Sequence, residues 1–121
     1  MDDSILISIK DAVSVPVDET EFDGELLMHI NSAFFILNQL GVGPEKPFIV
    51  DSDSQTWTDF MDTMDELSLV KTYIQLKVRV LFDPPTSSQL MTSINEQIKE
   101  YEWRLNIDQD KYKIDEGDAN G

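Results

Sequence analysis

Apolar residues recur at spacings of three and four along most of this chain, and the breaks fall at proline, at glycine or in runs of acid. Ile5, Leu6, Ile9 and Val13 have helical spacing, with Lys10 and Asp11 between them. They predict a short helix from about Ser4 to Val13, ended by the Val13-Ser14-Val15-Pro16-Val17 break. Phe22, Leu26, Ile30, Ala33 or Phe34, Leu37 and Leu40 form the clearest amphipathic stripe. Asp18-Glu19-Thr20-Glu21 ahead of it is helix-start chemistry, and Gly41, Gly43 and Pro44 stop it. Leu27 and Phe35 widen its apolar face, so this helix is expected to meet more than one neighbour. A loop region follows, with the short apolar run Phe48-Ile49-Val50 and the turn-forming Asp51-Ser52-Asp53-Ser54-Gln55. Thr56 then predicts the cap of a short helix carrying Trp57, Phe60 and Met61, with Met64 able to extend that apolar patch.

The segment from Asp65 to Phe82 supports two patterns. Ile74, Leu76, Val78, Val80 and Phe82 alternate with Gln75, Lys77, Arg79 and Leu81, which is strand periodicity with β-branched support. On a helix, Ser68, Lys71 or Thr72, Gln75 and Arg79 instead make one narrow polar stripe opposite Leu67, Val70, Ile74, Val78 and Leu81. That is a helix buried on most sides, with Lys77 extending its ammonium to water. A lone strand has no obvious partner in this chain.

Asp83-Pro84-Pro85 follows at once. Neither proline has a backbone N–H and each restricts the residue before it, so the element must end near Phe82. Thr86 and Gln89 have capping-box spacing, and Asp83 ahead of Pro84 is a second candidate N-cap. Leu90, Ile94, Ile98, Tyr101 and Leu105 then form a regular stripe with Met91 beside it, while Asn95, Glu96, Lys99, Glu100 and Glu102 face out. From Asn106 the apolar periodicity fails, and Asp108 to Gly121 is polar and acidic. The expected division is a helical domain over 1–106 and an acidic, flexible C-terminal tail over 107–121.

Composition narrows the function. The net charge is −15, from 24 acidic and 9 basic residues. That opposes a grip on nucleic acid or on anionic membranes, both of which need basic surface. No apolar run approaches the roughly 20 residues that span a bilayer, and acidic Met1-Asp2-Asp3 is unlike a signal peptide. Without cysteine there is no disulfide, thiolate metal site or cysteine nucleophile.

Catalytic and metal patterns are weak. Asp51, Asp53, Gln55, Asp59 and Asp62 have EF-hand offsets, but Thr56 stands where glycine is needed and Asp62 where a bidentate glutamate belongs. A capped turn is the better reading. His29 has neither a nucleophile nor a second histidine to work with. Gly41-Val42-Gly43 lacks the strand and third glycine of a phosphate loop. No catalytic residue, metal or cofactor is assigned. Trp57 and Trp103 read as satellite core on one view and as a subunit interface on the other. Trp103 lies off its helix's apolar stripe beside Arg104, and both residue types are enriched at protein contacts.

Several of these stretches fall in a familiar order. Asn31-Ser32-Ala33, Leu40-Gly41-Val42-Gly43, Trp57-Thr58-Asp59-Phe60, Phe82-Asp83-Pro84-Pro85 and Trp103-Arg104-Leu105-Asn106 together resemble the head–tail connector (adaptor) family of long-tailed phages, from about Ile5 to Asn106. The resemblance decides the Asp65–Phe82 segment as helix. The expected fold is all-α: a small helical bundle with two long antiparallel helices joined at a Pro-Pro elbow, a third long helix and short helices. The resemblance further implies a non-enzymatic virion protein, assembled in the bacterial host cytoplasm. It would dock on the portal protein as a homo-oligomeric ring and meet a stopper or tail-completion protein. DNA would pass through its channel without specific binding, and an acidic wall suits that passage by repelling phosphate. The candidate interface residues are Trp57, Phe60, Trp103, Arg104, Asp108 and Asp110. The alternative from composition is a small acidic helical regulator that covers a basic partner surface as a DNA mimic.

Overall fold

The computed structural model describes residues 4–61 and 64–120; side chains are described for these except Met64 and 108–120. Five helices follow one another: α1 (Ile5–Ala12), α2 (Asp23–Gln39), α3 (Trp57–Phe60), α4 (Met64–Phe82) and α5 (Ser88–Asn120). The fold is all-α, as expected, with no strand among the described residues.

The centre is α4. Val70, Tyr73, Ile74 and Val78 are fully buried along it, and Leu67 nearly so. Its two principal partners are α2 and α5, with α1 packed across α2 and α4. Phe22 at the start of α2 meets Phe82 at the end of α4 edge to face, with ring centroids 5.5 Å apart, so α2 and α4 run antiparallel. Tyr73 of α4 bonds Glu102 of α5, and Leu69, one turn earlier, shares a cleft with Arg104 and Ile107, farther along α5. Contacts that step back along one helix while stepping forward along the other make this pair antiparallel too. Burial against two different helices explains the near-continuous apolar sequence that mimicked a strand.

Local signals set most boundaries. Ser4 caps α1, its Oγ accepting from Ile7 N–H at 3.3 Å. Thr56 and Asp59 form a reciprocal capping box on α3: Asp59 N–H donates to Thr56 Oγ1 at 3.2 Å, and Thr56 N–H to Asp59 Oδ2 at 2.9 Å. Helix α2 stops as its glycines require. Gly41 has φ +84°, and Val42 N–H reaches back to the Leu37 carbonyl at 2.9 Å. Gly43, at φ +88°, lies so close to Phe60 that a Cβ there would come within 2.5 Å of the ring. Ser14 closes α1 in the same left-handed conformation, at φ +63°.

Two helix starts, one stripe and one helix end differ from expectation. Helix α2 begins at Asp23 rather than in Asp18–Glu21, with no side-chain cap at Phe22. Helix α5 begins at Ser88, and its cap is Ser87, whose Oγ accepts from Leu90 N–H at 3.2 Å; neither Thr86 nor Asp83 serves. Leu90, expected in the buried stripe, is exposed, and burial on α5 starts at Ile94. The helix continues past Asn106 to Asn120, where fading periodicity suggested a tail. The side chains that would show what this extension contacts lie outside the described residues.

The displaced start of α2 has a cause in Lys10. Its ammonium is buried, donating to the carbonyls of Glu19 at 2.7 Å and Val17 at 3.1 Å and pairing with Asp23 Oδ1 at 2.8 Å. Residues 17–19 curl around this cation instead of joining the helix, and Asp23 becomes a first-turn residue facing it. Removing the cation would leave buried oxygens uncompensated. Lys10→Met should lower unfolding free energy by about 2–4 kcal/mol in urea denaturation, whereas exposed Lys99→Met should change it by less than about 0.5 kcal/mol.

Candidate partner-binding surfaces

Of the expected interface residues, Trp57 and Phe60 belong to the core. Trp57 is 1% exposed, with its indole N–H donating to Ser8 Oγ at 2.9 Å and Lys71 placed 5.7 Å over its ring. Phe60 packs on Phe34 and Phe48, with centroids at 4.7 and 5.4 Å. Their distance from solvent follows from α3 being tucked under α1 and α2. The chain from 48 to 57 is tied down at both ends. Asn31 on α2 clamps Val50 with two bonds, accepting from its N–H at 2.8 Å and donating to its carbonyl at 2.9 Å. Ile5 N–H holds the Gln55 carbonyl at 3.0 Å. The two aromatics therefore position the surface without forming it.

Trp103 is on that surface, 63% exposed. Arg104 beside it is also exposed, with Nη2 and Nε donating to Glu100 at 2.7 and 3.1 Å along the helix. Leu69, Trp103, Arg104 and Ile107 line one shallow cleft between α4 and α5. Asp108 and Asp110 continue the same helix, and their side chains lie outside the described residues.

The acids of the calcium-like pattern have other work. Gln55 Oε1 accepts from the N–H groups of Asp51 and Ser52, each at 3.1 Å, while its amide donates to Asp51. Asp59 is committed to the α3 capping box, and Asp62 lies outside the described residues. His29 faces Glu25 on the surface of α2, 3.4 Å away.

A second surface was only half legible. Along the outer side of α2, Met28 is 60% exposed and Phe35 52%. Ile49, on the loop clamped along the same helix, is exposed as well. The excess of apolar residues on α2 signalled another neighbour; within this chain Phe35 has none that covers it.

This geometry suits binding by apolar faces, and a family match gives it a context. The sequence profile of the phage connector protein family matches residues 5–112. The chain belongs to that family. No curated protein and no solved structure matches it. Connector membership means a structural role between phage head and tail, at the head–tail interface of the virion, with portal and tail proteins as partners. The connector exposes two apolar surfaces, one on each helix that flanks α4.

The orientation of α5, and so of Trp103, is held from the α4 side. Tyr73 is fully buried and its hydroxyl donates to Glu102 at 2.8 Å. Burial, then the hydrogen bond and the charge of Glu102, push the Tyr73 hydroxyl well above its ordinary pKa. A raised folded-state value means that stability is complete below about pH 10, where free tyrosine titrates, and declines above it as only the unfolded chain loses the proton. The wild-type connector should lose up to about 1.4 kcal/mol per pH unit above pH 10 through this residue. Tyr73→Phe should lack that share of the slope in denaturation measured from pH 8 to 11.5; equal slopes would show that Tyr73 holds no such proton.

Proposed function

We propose that this connector assembles as a homo-oligomeric ring docked on the portal protein, extends the DNA channel and presents its far side to a stopper or tail-completion protein. The observation that carries the reading is the family match across nearly the whole chain, 5–112. Two further features support it. The net charge of −15 suits a channel wall, because a negative lining repels phosphate and lets the duplex pass without adhering. Exposed apolar residues on two flanks suit a subunit with neighbours on both sides. The family membership favours the connector reading over the acidic-regulator one, which rests on composition alone.

The C-terminal segment has its own part in this proposal. Leu105 is the last buried residue among those whose side chains are described, and Ile107 after it is exposed. We assign the acidic end of α5, residues 107–120, as an attachment segment that binds the portal or a neighbouring subunit, with Asp108 and Asp110 in the contact.

The test is co-sedimentation with purified portal rings. The full chain should sediment with the portal, whereas a chain ending at Asn106 should keep its helical circular dichroism and cooperative unfolding but bind at least about tenfold more weakly, a loss of about 1.4 kcal/mol. Failure of the full chain to bind would contradict portal docking; equal binding by both would contradict the role of the tail.

A further inference from the structure

The outer face of α2 differs from the rest of the surface in charge. From Leu26 to Leu40 there is no Asp, Glu, Lys or Arg, in a chain in which 27% of residues are charged. Met28, Ser32, Phe35 and Gln39 follow one another along the exposed side of this segment. Between two copies that each carry −15, most surface pairings set acid against acid, which costs free energy. The α2 face is where an acidic neighbour approaches without that repulsion. A basic partner would gain more from the acid-rich faces, so the charge pattern favours a second copy of this chain as the occupant.

The complement lies on the other flank. Helices α2 and α5 both pack on α4 and have no comparable packing on each other. Trp103 and Ile107 are exposed one turn apart on α5, with Arg104 beside them. Arg104 adds positive charge to this patch, while Glu25 is the acid at the N-terminal end of the α2 stripe. Two different apolar patches on separate helices can join head to tail, and a head-to-tail contact repeats around a ring.

We infer that the subunit contact of the connector seats the α5 patch of one copy, at Trp103 and Ile107, on the uncharged α2 face of the next, at Met28 and Phe35. The inference rests on the ring reading above and specifies its surfaces.

The absence of cysteine makes the test clean. Phage carrying Phe35→Cys with Trp103→Cys, each single variant, and wild type are purified as virions and treated with a short bis-maleimide. Only the double variant should give a ladder of dimers and higher multimers of this chain on a denaturing gel. A second pair, Ser32→Cys with Ile107→Cys, should give the same ladder and serves if the first pair fails to assemble. Dimers in a single variant would show a symmetric contact and overturn the inference. So would monomers throughout, or a crosslink to a different virion protein. Absence of the wild-type chain from virions would overturn the connector reading itself, an outcome distinct from a virion-borne chain that does not crosslink.

Discussion

Tyr73, Ile74 and Val78 of α4 lose all contact with water between two antiparallel helices, and the other elements are arranged to allow it. Each fully buried side chain of this size contributes about 1.5–3 kcal/mol relative to exposure. Helix α4 is too short of polar surface to stand alone, so α2 must cover one side and α5 another. Phe22 against Phe82 fixes one end of the first contact, and Tyr73 bonded to Glu102 fixes the second. Helix α1 packs across both α2 and α4, and buried Lys10 binds the turn leading into α2.

Wrapping one helix with two leaves each outer helix half used. The inner sides of α2 and α5 are core, whereas their outer sides carry Met28, Phe35, Trp103 and Ile107 in water. A monomer gains nothing from these residues. A subunit whose neighbours lie on its flanks, as in the ring proposed above, would. Apolar contact also suits a protein of net charge −15, in which contacts between acid-rich faces would repel. Fold and assembly thus depend on the same choice, a central helix supported from both sides.

Much of this was readable from residues alone. The heptad-like stripes located α1, α2 and α5, Gly41 and Gly43 located the end of α2, and the Thr56 cap located α3. Helix α4 was ambiguous because burial on two sides erases the polar face that identifies a helix, and Ile74 to Phe82 then alternates like a strand. Lys10 was missed for a different reason. A lysine next to Asp11 in an amphipathic helix looks solvated, and only the turn folding back over it supplies the carbonyls of Val17 and Glu19. The acids at Asp18–Glu21 looked like a helix start for the same cause, since residues 17–19 serve the buried cation instead. Ser87 was passed over because Thr86 had the better capping spacing. Trp57 and Phe60 looked like interface because a four-residue helix in a loop gives no sign of its depth. The bond from Trp57 to Ser8 spans most of the first half of the chain and leaves no local trace. The exposure of Trp103 was legible because it breaks the stripe of a helix whose buried side was already known.

The most direct test of the connector assignment is to delete this coding region from the phage that carries it and image the lysate by electron microscopy. The account predicts DNA-filled or leaking heads lying separate from complete, unattached tails, with joined particles restored when the chain is supplied in trans. Normal joined virions from the deletion would contradict it.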